Sequence, residues 1–297
     1  MAEPVLHWNS EALWAELAPL LPGLSIEVVA QIASTNSALL ERARHAADVS
    51  EEGSVARVRR SVESAAFGRR SDDLQPCLLV AEHQTHGRGR QGRSWQSAPA
   101  SSLTFSLALP IAPPDWSGLS LAVGVALAEA LDPAATRIGV KWPNDLWLLD
   151  PAAEGSGVGR KLGGILIETV AAGEQRLAVI GIGLNVLPLD LFDASSGNAS
   201  LQEIDAQASA PQVLARVARP LVEAIQQFER EGFAGFVSRF EARDLLRGRA
   251  LRAGTLDGVA AGVAPSGALL LRTPQGVTPV SSGEVSVRLS NAGDASC

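Results

Sequence analysis

The sequence predicts an α+β fold, with packed helices on a mainly antiparallel or mixed sheet and a small C-terminal β-barrel. Three observations carry this prediction. Short apolar or alternating segments separated by Pro-Asn-Asp and Gly-rich turns indicate hairpins between residues 77 and 186. Apolar residues at helical spacing lie among these segments. After residue 247 the chain changes to short strands joined by glycine-containing turns, which is typical of a small barrel. We therefore expect one domain over residues 1–246 and a second over 247–297.

The predicted elements run in order along the chain. Leu13, Leu17, Leu20 and Leu21 predict a short helix near the start, closed by prolines. Strands are expected at 77–81, 103–109, 137–141, 146–149, 163–170 and 176–186, and a helix at 119–131. A long amphipathic helix is expected around 213–228, with a second running to about 246. The C-terminal strands are expected at 250–255, 259–263, 268–271, 277–280 and 284–289.

Residues 45–76 interrupt this pattern with clusters of acidic and basic residues and few large apolar ones. We interpret the segment as an exposed insertion. A helix with alternating charge on a solvated face is an equally good interpretation of its middle third. Neither interpretation assigns chemistry to it.

The composition indicates an ordinary soluble globular protein. The 297 residues are 46% hydrophobic and 19% charged, and 25 Lys+Arg against 32 Asp+Glu give a net charge of −7. An acidic balance argues against a general nucleic-acid binder, whose domain would be basic. The two cysteines, Cys77 and Cys297, exclude a disulfide framework and favour a reducing, cytoplasmic setting. We see no secretion signal, and prolines interrupt the longest charge-free run, at residues 94–114, so a membrane span is not expected.

The most informative segment is the Gly- and Arg-rich stretch at residues 81–95, directly after an apolar strand. Its sequence is Ala-Glu-His-Gln-Thr-His-Gly-Arg-Gly-Arg-Gln-Gly-Arg-Ser-Trp. Glycine allows close approach of the backbone to a ligand, and arginine presents a planar fork to carboxylate or phosphate. The segment also spells GxGxxG, but residues 94–99 lack the pattern of the helix that a dinucleotide fold requires. An anion-wrapping loop is favoured over a merely flexible surface loop.

Three further motifs place polar groups at the ends of strands. The Lys-Trp-Pro-Asn-Asp sequence at 141–145 brings a lysine and a carboxylate together, although a simple turn with a solvated lysine explains it equally well. Lys161 stands just before an apolar strand, where it can reach a buried anion, although a surface lysine is the usual case. Asn185 ends the Gly-Ile-Gly-Leu-Asn sequence with an amide that can both donate and accept hydrogen bonds.

Residues 34–36, Ser-Thr-Asn, precede a helical run. The simplest interpretation is a helix N-cap. Capping and ligand binding are compatible, because a helix start also presents unpaired backbone N–H groups.

Taken together, these five motifs resemble the biotin-protein ligases in order and approximate spacing. The tail agrees, since residues 262–271 and 283–288 resemble that family's C-terminal β-domain. The resemblance covers roughly residues 30–290, apart from the insertion. It implies a class II synthetase-like catalytic domain of the biotin and lipoate ligase type, followed by an SH3-like C-terminal β-barrel.

The resemblance implies an ATP-dependent ligase. Such an enzyme activates biotin with ATP to biotinyl-5′-AMP, releases pyrophosphate, and transfers biotin to one lysine of the biotin carboxyl carrier protein of acetyl-CoA carboxylase. The implied small molecules are biotin, ATP and Mg²⁺. We expect a cytoplasmic monomer or homodimer with no membrane or DNA partner, because the residues before Ser34 are too few for the helix-turn-helix domain that some family members carry.

The resemblance also implies three groups of site residues. The biotin-binding group is Ser34, Thr35, Asn36, Gln84, Arg88, Gly89, Arg90 and Lys161. The ATP and adenylate group is Gly87, Arg93, Trp95, Lys141, Asn144 and Asn185. The catalytic group is Arg88, Arg90, Lys161 and Asp145, with Asp145 also the expected Mg²⁺ ligand. Hydroxyls and amides suit a neutral ureido ring, and cations offset the repulsion between a carboxylate and the α-phosphate.

Two other classes compete with this interpretation. Lipoate-protein ligases share the broad architecture and the adenylate chemistry, but the Gly-Arg-Gly-Arg loop together with Lys-Trp-Pro-Asn-Asp favours biotin. An RNA-binding protein could use the arginine-glycine loop. The net acidic charge and the lack of interleaved aromatics before Trp95 disfavour that class.

Overall fold

The computed structural model describes residues 6–52, 65–67, 74–150, 159–172, 175–189, 197–281 and 287–289. The chain divides into two units. The first unit consists of Met1–Ala112, Gly163–Asp193 and Ser200–Val222, and the second of Pro113–Leu162, Ala194–Ala199 and Glu223–Cys297.

The described residues form five α-helices and fifteen strands, which are numbered here in chain order. The helices are α1 (Ser10–Leu17), α2 (Thr35–Glu52), α3 (Leu119–Leu131), α4 (Ala210–Glu231) and α5 (Val237–Glu241). The first strands are β1 (Ser25–Ile32), β2 (Ala65–Phe67), β3 (Cys77–Gln84), β4 (Gly87–Arg88), β5 (Ser94–Trp95) and β6 (Ser102–Pro110). Next come β7 (Ile138–Lys141), β8 (Asp145–Leu148), β9 (Arg160–Ala172) and β10 (Gln175–Asn185). The last are β11 (Ala250–Ala253), β12 (Leu256–Val263), β13 (Leu269–Thr273), β14 (Gly276–Val280) and β15 (Val287–Leu289).

The first unit is built on a mixed sheet with strand order β2-β1-β3-β6-β10-β9. Strands β1 and β3 pair in parallel, and the other neighbours pair antiparallel. Helix α2 packs on this sheet through Leu39, Leu40 and Ala43, which bury against Leu79 and Val179. Strand β6 is buried from Ser102 to Leu109, so it lies at the centre of the core.

The second unit combines α3, the β7–β8 hairpin and the C-terminal sheet. Its hairpin pairs Lys141 with Asp145. Phe233 and Phe236 stack with ring centroids 6.4 Å apart beyond the end of α4. Gly118, at φ +85°, precedes α3, and a Cβ there would lie 2.6 Å from Phe233 Cβ. The close approach therefore requires glycine.

Two acids beside β7 differ in their electrostatics. The pKa of Asp132 is lowered from its ordinary value. Burial alone would raise this pKa, but hydrogen bonds from the backbone amides of Arg137 and Ile138 and the charge of Arg243 together outweigh burial. Burial raises the pKa of Asp244, and the backbone hydrogen bond from Leu246 offsets only part of that effect.

Most of the predicted elements are confirmed. The α+β class and the mixed sheet are as expected, and α3 covers the predicted residues 119–131. Strand β1 was not predicted. The helix expected to reach about residue 246 is wrong in its end, because α4 stops before Gly232, at φ +64°, and α5 ends at Glu241.

The C-terminal barrel needs a correction. The strands form an open antiparallel sheet in the order β14-β13-β12-β11-β15, and no pairing joins β14 to β15 within the described residues. A barrel requires hydrogen bonds between its two edge strands. Strand β15 has three described residues, and all three pair with β11.

The charged insertion lies mostly outside the described residues. Helix α2 continues through Glu52, and β2 covers Ala65–Phe67, while 53–64 and 68–73 are not described. The domain boundary near residue 246 stays a prediction. No helix in the described ranges is long and apolar enough to cross a membrane.

Candidate functional site

The Gly- and Arg-rich segment forms a small β-hairpin in the first unit. Gly87 pairs with Trp95 and Arg88 with Ser94, and the Gly89 N–H donates to the Arg93 carbonyl at 2.7 Å. Arg90 lies in the one-turn 3₁₀-helix Arg90–Gly92 that closes the hairpin. Within the described residues 74–150, the glycines are followed by a short strand and not by an α-helix. The prediction that this segment is not a dinucleotide-binding motif is therefore confirmed.

A chain of buried polar groups lies where α2 begins, next to the end of β3. The Thr35 N–H donates to Gln84 Oε1 at 2.7 Å. The Ser106 hydroxyl donates to Asn36 Oδ1 at 2.6 Å, and Thr35 Oγ1 lies 2.6 Å from Ser106 Oγ. The single hydroxyl proton of Ser106 is used on Asn36, and the single hydroxyl proton of Thr35 has two acceptors, Ser106 Oγ and Gln84 Oε1, the latter at 3.1 Å. This cluster fixes the orientation of three of the predicted biotin-binding side chains.

Ser34 caps helix α2. The Ser37 N–H donates to Ser34 Oγ at 3.4 Å, which is the N-cap interaction. Ser34 is buried, as are Thr35 and Asn36. The N-cap prediction is therefore confirmed, and the serine lies beside the buried polar chain.

Glu168 of β9 joins this cluster to the hairpin. Its Oε2 accepts from Asn36 Nδ2 at 3.1 Å and from Arg88 Nη1 at 3.2 Å, and its Oε1 accepts from Arg88 Nη2 at 2.9 Å. Arg88 Nη1 also donates to Ser37 Oγ at 3.3 Å. The side chains of Arg88 and Glu168 are 47% and 24% exposed. Arg88 is therefore held by a two-point ion pair at the edge of the cluster.

Two glycines of β10 make room for these side chains. A Cβ on Gly181 would overlap Asn36 Oδ1, and one on Gly183 would overlap the Trp95 indole ring. Trp95 Nε1 is buried and makes no hydrogen bond within the described residues. Asn185, buried at the end of the same strand, pairs with Ser102 of β6. At Gly181 and Gly183, strand β10 therefore has no side chain, which leaves space for Asn36 and for the indole of Trp95.

The second unit holds four of the predicted site residues, Lys141, Asn144, Asp145 and Lys161. Lys161, at the start of β9, donates from Nζ to Asp145 Oδ1 at 2.8 Å. Lys141 Nζ lies 4.2 Å from the centroid of the Trp147 ring, which is cation–π distance. Asn144 lies in the tight turn between β7 and β8. The ion pair of Asp145 is therefore with Lys161, whereas Lys141, the lysine that the sequence placed beside this carboxylate, is its cross-strand neighbour in the hairpin.

Trp142 anchors the turn of the β7–β8 hairpin. Its ring is almost fully buried, and Nε1 donates to the Gly267 carbonyl at 3.0 Å. The Ser120 hydroxyl donates to the Pro143 carbonyl at 2.9 Å. These bonds hold the backbone between Lys141 and Asp145 in one conformation.

The described residues contain no group of three or more His, Cys, Asp or Glu side chains that could hold a metal ion. Asp145 is a single carboxylate with Lys161 on it. This donor set does not fit a metal cage built by the protein alone. The assignment of Asp145 to Mg²⁺ stays a prediction.

Sequence reasoning missed Ser106 and Glu168. Ser106 alternates with Phe105 and Leu107, so the period of the strand already placed it on the face opposite those apolar residues. Glu168 ends the apolar run of β9 as its only acid. A lone carboxylate within an apolar strand segment is expected to have a partner, and this was the available signal.

The fold and these polar groups define a protein of the biotin and lipoate ligase class. Residues 65–185 match the Biotin/lipoate A/B protein ligase family, and residues 248–288 match the Biotin protein ligase C terminal domain. The Biotin--[acetyl-CoA-carboxylase] ligase of Paracoccus denitrificans is 33% identical over 225 residues, which cover 70% of this chain and 88% of that protein. The chain belongs to the biotin protein ligase family, so the resemblance inferred from the motifs is confirmed.

Other relatives agree over part of their length. The Bifunctional ligase/repressor BirA of Escherichia coli K12 is 36% identical over 219 residues, which cover 70% of this chain and 65% of that protein. The chain thus spans just under two thirds of that relative. The solved biotin protein ligase from Aquifex aeolicus, in complex with biotin and ATP, has a TM-score of 0.66 and 25% identity and covers 89% of this chain and 99% of its own.

Proposed function

We propose that this protein is a cytoplasmic, ATP-dependent biotin--[acetyl-CoA-carboxylase] ligase. It joins biotin to ATP as biotinyl-5′-AMP and transfers the biotinyl group to one lysine of a biotin carboxyl carrier protein. The observation that carries the proposal is the buried Thr35–Ser106–Asn36 chain, joined through Glu168 to the exposed Arg88. Neutral hydrogen-bonding groups thus lie next to a cation, as a ureido ring with a carboxylate-bearing tail requires.

The buried end of this cluster suits the ureido ring. Asn36 uses both Nδ2 hydrogens, on the Leu166 carbonyl and on Glu168, and its Oδ1 accepts from Ser106 with one lone pair, so we assign the second lone pair of Oδ1 to a ligand N–H. Gln84 Oε1 is occupied by the Thr35 N–H, which turns its amide nitrogen toward Gly87. We assign Ser34, Thr35, Asn36 and Gln84 to biotin on this basis.

The adenylation step sets two anions against each other. A biotin carboxylate oxygen forms a bond to the α-phosphorus of ATP, the bond from that phosphorus to the bridging oxygen breaks, and pyrophosphate leaves. Cations stabilise the charge that accumulates in the transition state. We assign this role to Arg88, Arg90 and Lys161, with Gly89 allowing close approach of the backbone.

The transfer step is an attack by the carrier lysine on the acyl carbonyl. The amine loses a proton, the bond from the carbonyl carbon to the AMP oxygen breaks, and AMP leaves. We assign Asp145 to the Mg²⁺ ion that accompanies ATP or to the incoming lysine, because Mg²⁺ and a lysine ammonium are both cations. Mg²⁺ enters with ATP as part of the substrate, since this metal usually takes one or two protein carboxylates and the substrate phosphates.

The remaining predicted residues are assigned to the nucleotide, namely Gly87, Arg93, Trp95, Lys141, Asn144 and Asn185. We propose a catalytic domain over residues 1–246 and a C-terminal β-domain over 247–297. The match of residues 248–288 to the C-terminal domain of biotin protein ligases supports this boundary, and the hydrogen bond from Trp142 Nε1 to the Gly267 carbonyl joins the C-terminal domain to the Lys-Trp-Pro-Asn-Asp turn. The C-terminal domain would then help to shape the nucleotide side.

Isotope exchange between pyrophosphate and ATP tests the proposal and separates it from the lipoate alternative. Purified protein with Mg-ATP should exchange pyrophosphate when biotin is added and not when lipoate is added at the same concentration. Exchange that depends on lipoate alone would assign the protein to the other branch of the family. An absence of exchange with either acid would contradict adenylation.

A further inference from the structure

We propose that Glu168 is a positioning residue that aligns Arg88 and Asn36, so that one carboxylate sets both ends of the biotin site. The inference rests on the proposed function, because it names the groups that hold that site in shape. Glu168 bonds the buried amide of Asn36 on one side and the exposed guanidinium of Arg88 on the other.

The bonding pattern of Arg88 leaves one specific edge for a ligand. A guanidinium has five N–H donors in a fixed plane. Glu168 takes one hydrogen from Nη1 and one from Nη2, and Ser37 Oγ takes the second from Nη1. The donors left by these bonds are Nε–H and the second Nη2–H, which lie side by side. This pair can bind a carboxylate or phosphate with two parallel hydrogen bonds.

The same carboxylate orients Asn36. An ionised carboxylate only accepts hydrogen bonds, so Glu168 and the Leu166 carbonyl both require the NH₂ group of Asn36 to face them. Ser106 donates to Oδ1 and completes the arrangement. Without Glu168 the amide loses one of the two acceptors that keep Oδ1 toward the ligand.

Glu168 acts through geometry more than through its charge. With half-exposed Arg88 the ion pair is screened by water, so its direct electrostatic contribution is small. Its main effect is to remove the freedom of a long arginine side chain before the ligand arrives. Pre-ordering of this kind improves ligand affinity, because the conformational entropy of the arginine side chain is lost on folding and not on binding.

Steady-state pyrophosphate exchange and biotin titration calorimetry test the inference. We expect Glu168→Ala to raise the biotin KM and Kd by about tenfold, the effect of one charge-assisted hydrogen bond. The ATP KM should stay within about twofold, because the residues assigned to the nucleotide are untouched, whereas kcat should also fall, because Arg88 is assigned to the α-phosphate as well. The biotin KM and Kd of Glu168→Gln should lie between those of the unaltered protein and those of Glu168→Ala, since the glutamine amide oxygen still accepts one hydrogen bond.

The matched control is Glu129→Gln, which breaks a comparable ion pair in the second unit, where Arg239 Nε donates to Glu129 Oε1 at 3.0 Å. This variant should leave the biotin KM unchanged. In an Arg88→Ala background, Glu168→Ala should have a smaller effect than it has alone, because the two residues act together.

The outcomes separate the inference from the function on which it rests. If the unaltered protein shows no biotin-dependent exchange, the proposed function fails. If the unaltered protein is active and neither Glu168 variant raises the biotin KM, the positioning role alone is overturned. Equal rises in the biotin and ATP KM values, together with a lower melting temperature, would show that Glu168 has a structural role instead. If Glu168→Ala does not fold, Glu168→Gln is the variant whose KM values are compared.

Discussion

Replacement of Gly181 by alanine should damage the proposed biotin-binding end of the polar cluster while leaving the sheet intact. The new Cβ would overlap Asn36 Oδ1 and lie 2.9 Å from its Cγ. Asn36 is buried and held by Ser106 at 2.6 Å and by Glu168 at 3.1 Å, so its amide cannot move without breaking these bonds. The strand itself needs no special backbone angle at this position.

The magnitude has two contributions. Forcing an extra methyl group into a packed site costs about 1–3 kcal/mol of folding free energy. Moving Asn36 removes the acceptor assigned to the ureido N–H, and one such hydrogen bond contributes about 1 kcal/mol net or somewhat more. We therefore expect the free energy of unfolding to fall by about 1–3 kcal/mol and the biotin Kd to rise about tenfold.

Urea unfolding and biotin titration calorimetry measure these two quantities. Gly235→Ala is the matched control, because its Cβ would meet the flexible ends of the Glu231 and Gln227 side chains, at 2.6 and 3.2 Å, on an exposed surface. The control should change neither quantity by much. If Gly181→Ala binds biotin with the affinity of the unaltered protein, the assignment of Asn36 to biotin is refuted.

Three further predictions test other parts of the site and fold. Lys161→Ala should lower the rate of biotin-dependent pyrophosphate exchange about a hundredfold or more, with an unchanged circular dichroism spectrum, because it removes a cation from the α-phosphate; exchange at the normal rate would rule out its role. Asp132→Ala should lower the free energy of unfolding in urea by about 3 kcal/mol, because it leaves the buried Arg243 guanidinium without its carboxylate partner at 3.6 Å; a loss within the error of the unaltered protein would contradict that pairing. For Asp244, burial raises the pKa in the folded protein above the ordinary value of 3.8, so folding favours the protonated acid and stability falls as pH rises through the raised pKa. Urea unfolding of Asp244→Asn should therefore depend less on pH above 3.8, and a pH dependence equal to that of the unaltered protein would contradict this.

The elements that the sequence predicted well are those whose pattern is local. Helix α3 is bounded by Gly118 and Asp132, and its apolar run is long enough to be distinguished from a strand. Strand β6 alternates over its whole length. Strand β1 was not predicted because its partner β3 starts 45 residues after β1 ends, so no turn marks the pairing.

The candidate site shows the same difference between local patterns, which the sequence reveals, and contacts between distant residues, which it does not. The resemblance of the motifs to the biotin-protein ligases predicted Thr35, Asn36, Gln84 and Arg88 as site residues. No motif placed Asn36 over Gly181 or Glu168 against Arg88, since these contacts join residues that are far apart in sequence. Such contacts depend on the register of β9 and β10, which only the assembled sheet determines.

Mass spectrometry of a carrier protein tests the proposed ligase activity most directly. A purified biotin carboxyl carrier domain is incubated with this protein, biotin and Mg-ATP, and its intact mass and its modified residue are determined. We predict the addition of one biotin to a single lysine, absent without ATP and strongly reduced with Lys161→Ala. A carrier domain that keeps its original mass under these conditions, beside a known ligase that modifies it, would contradict the proposed activity.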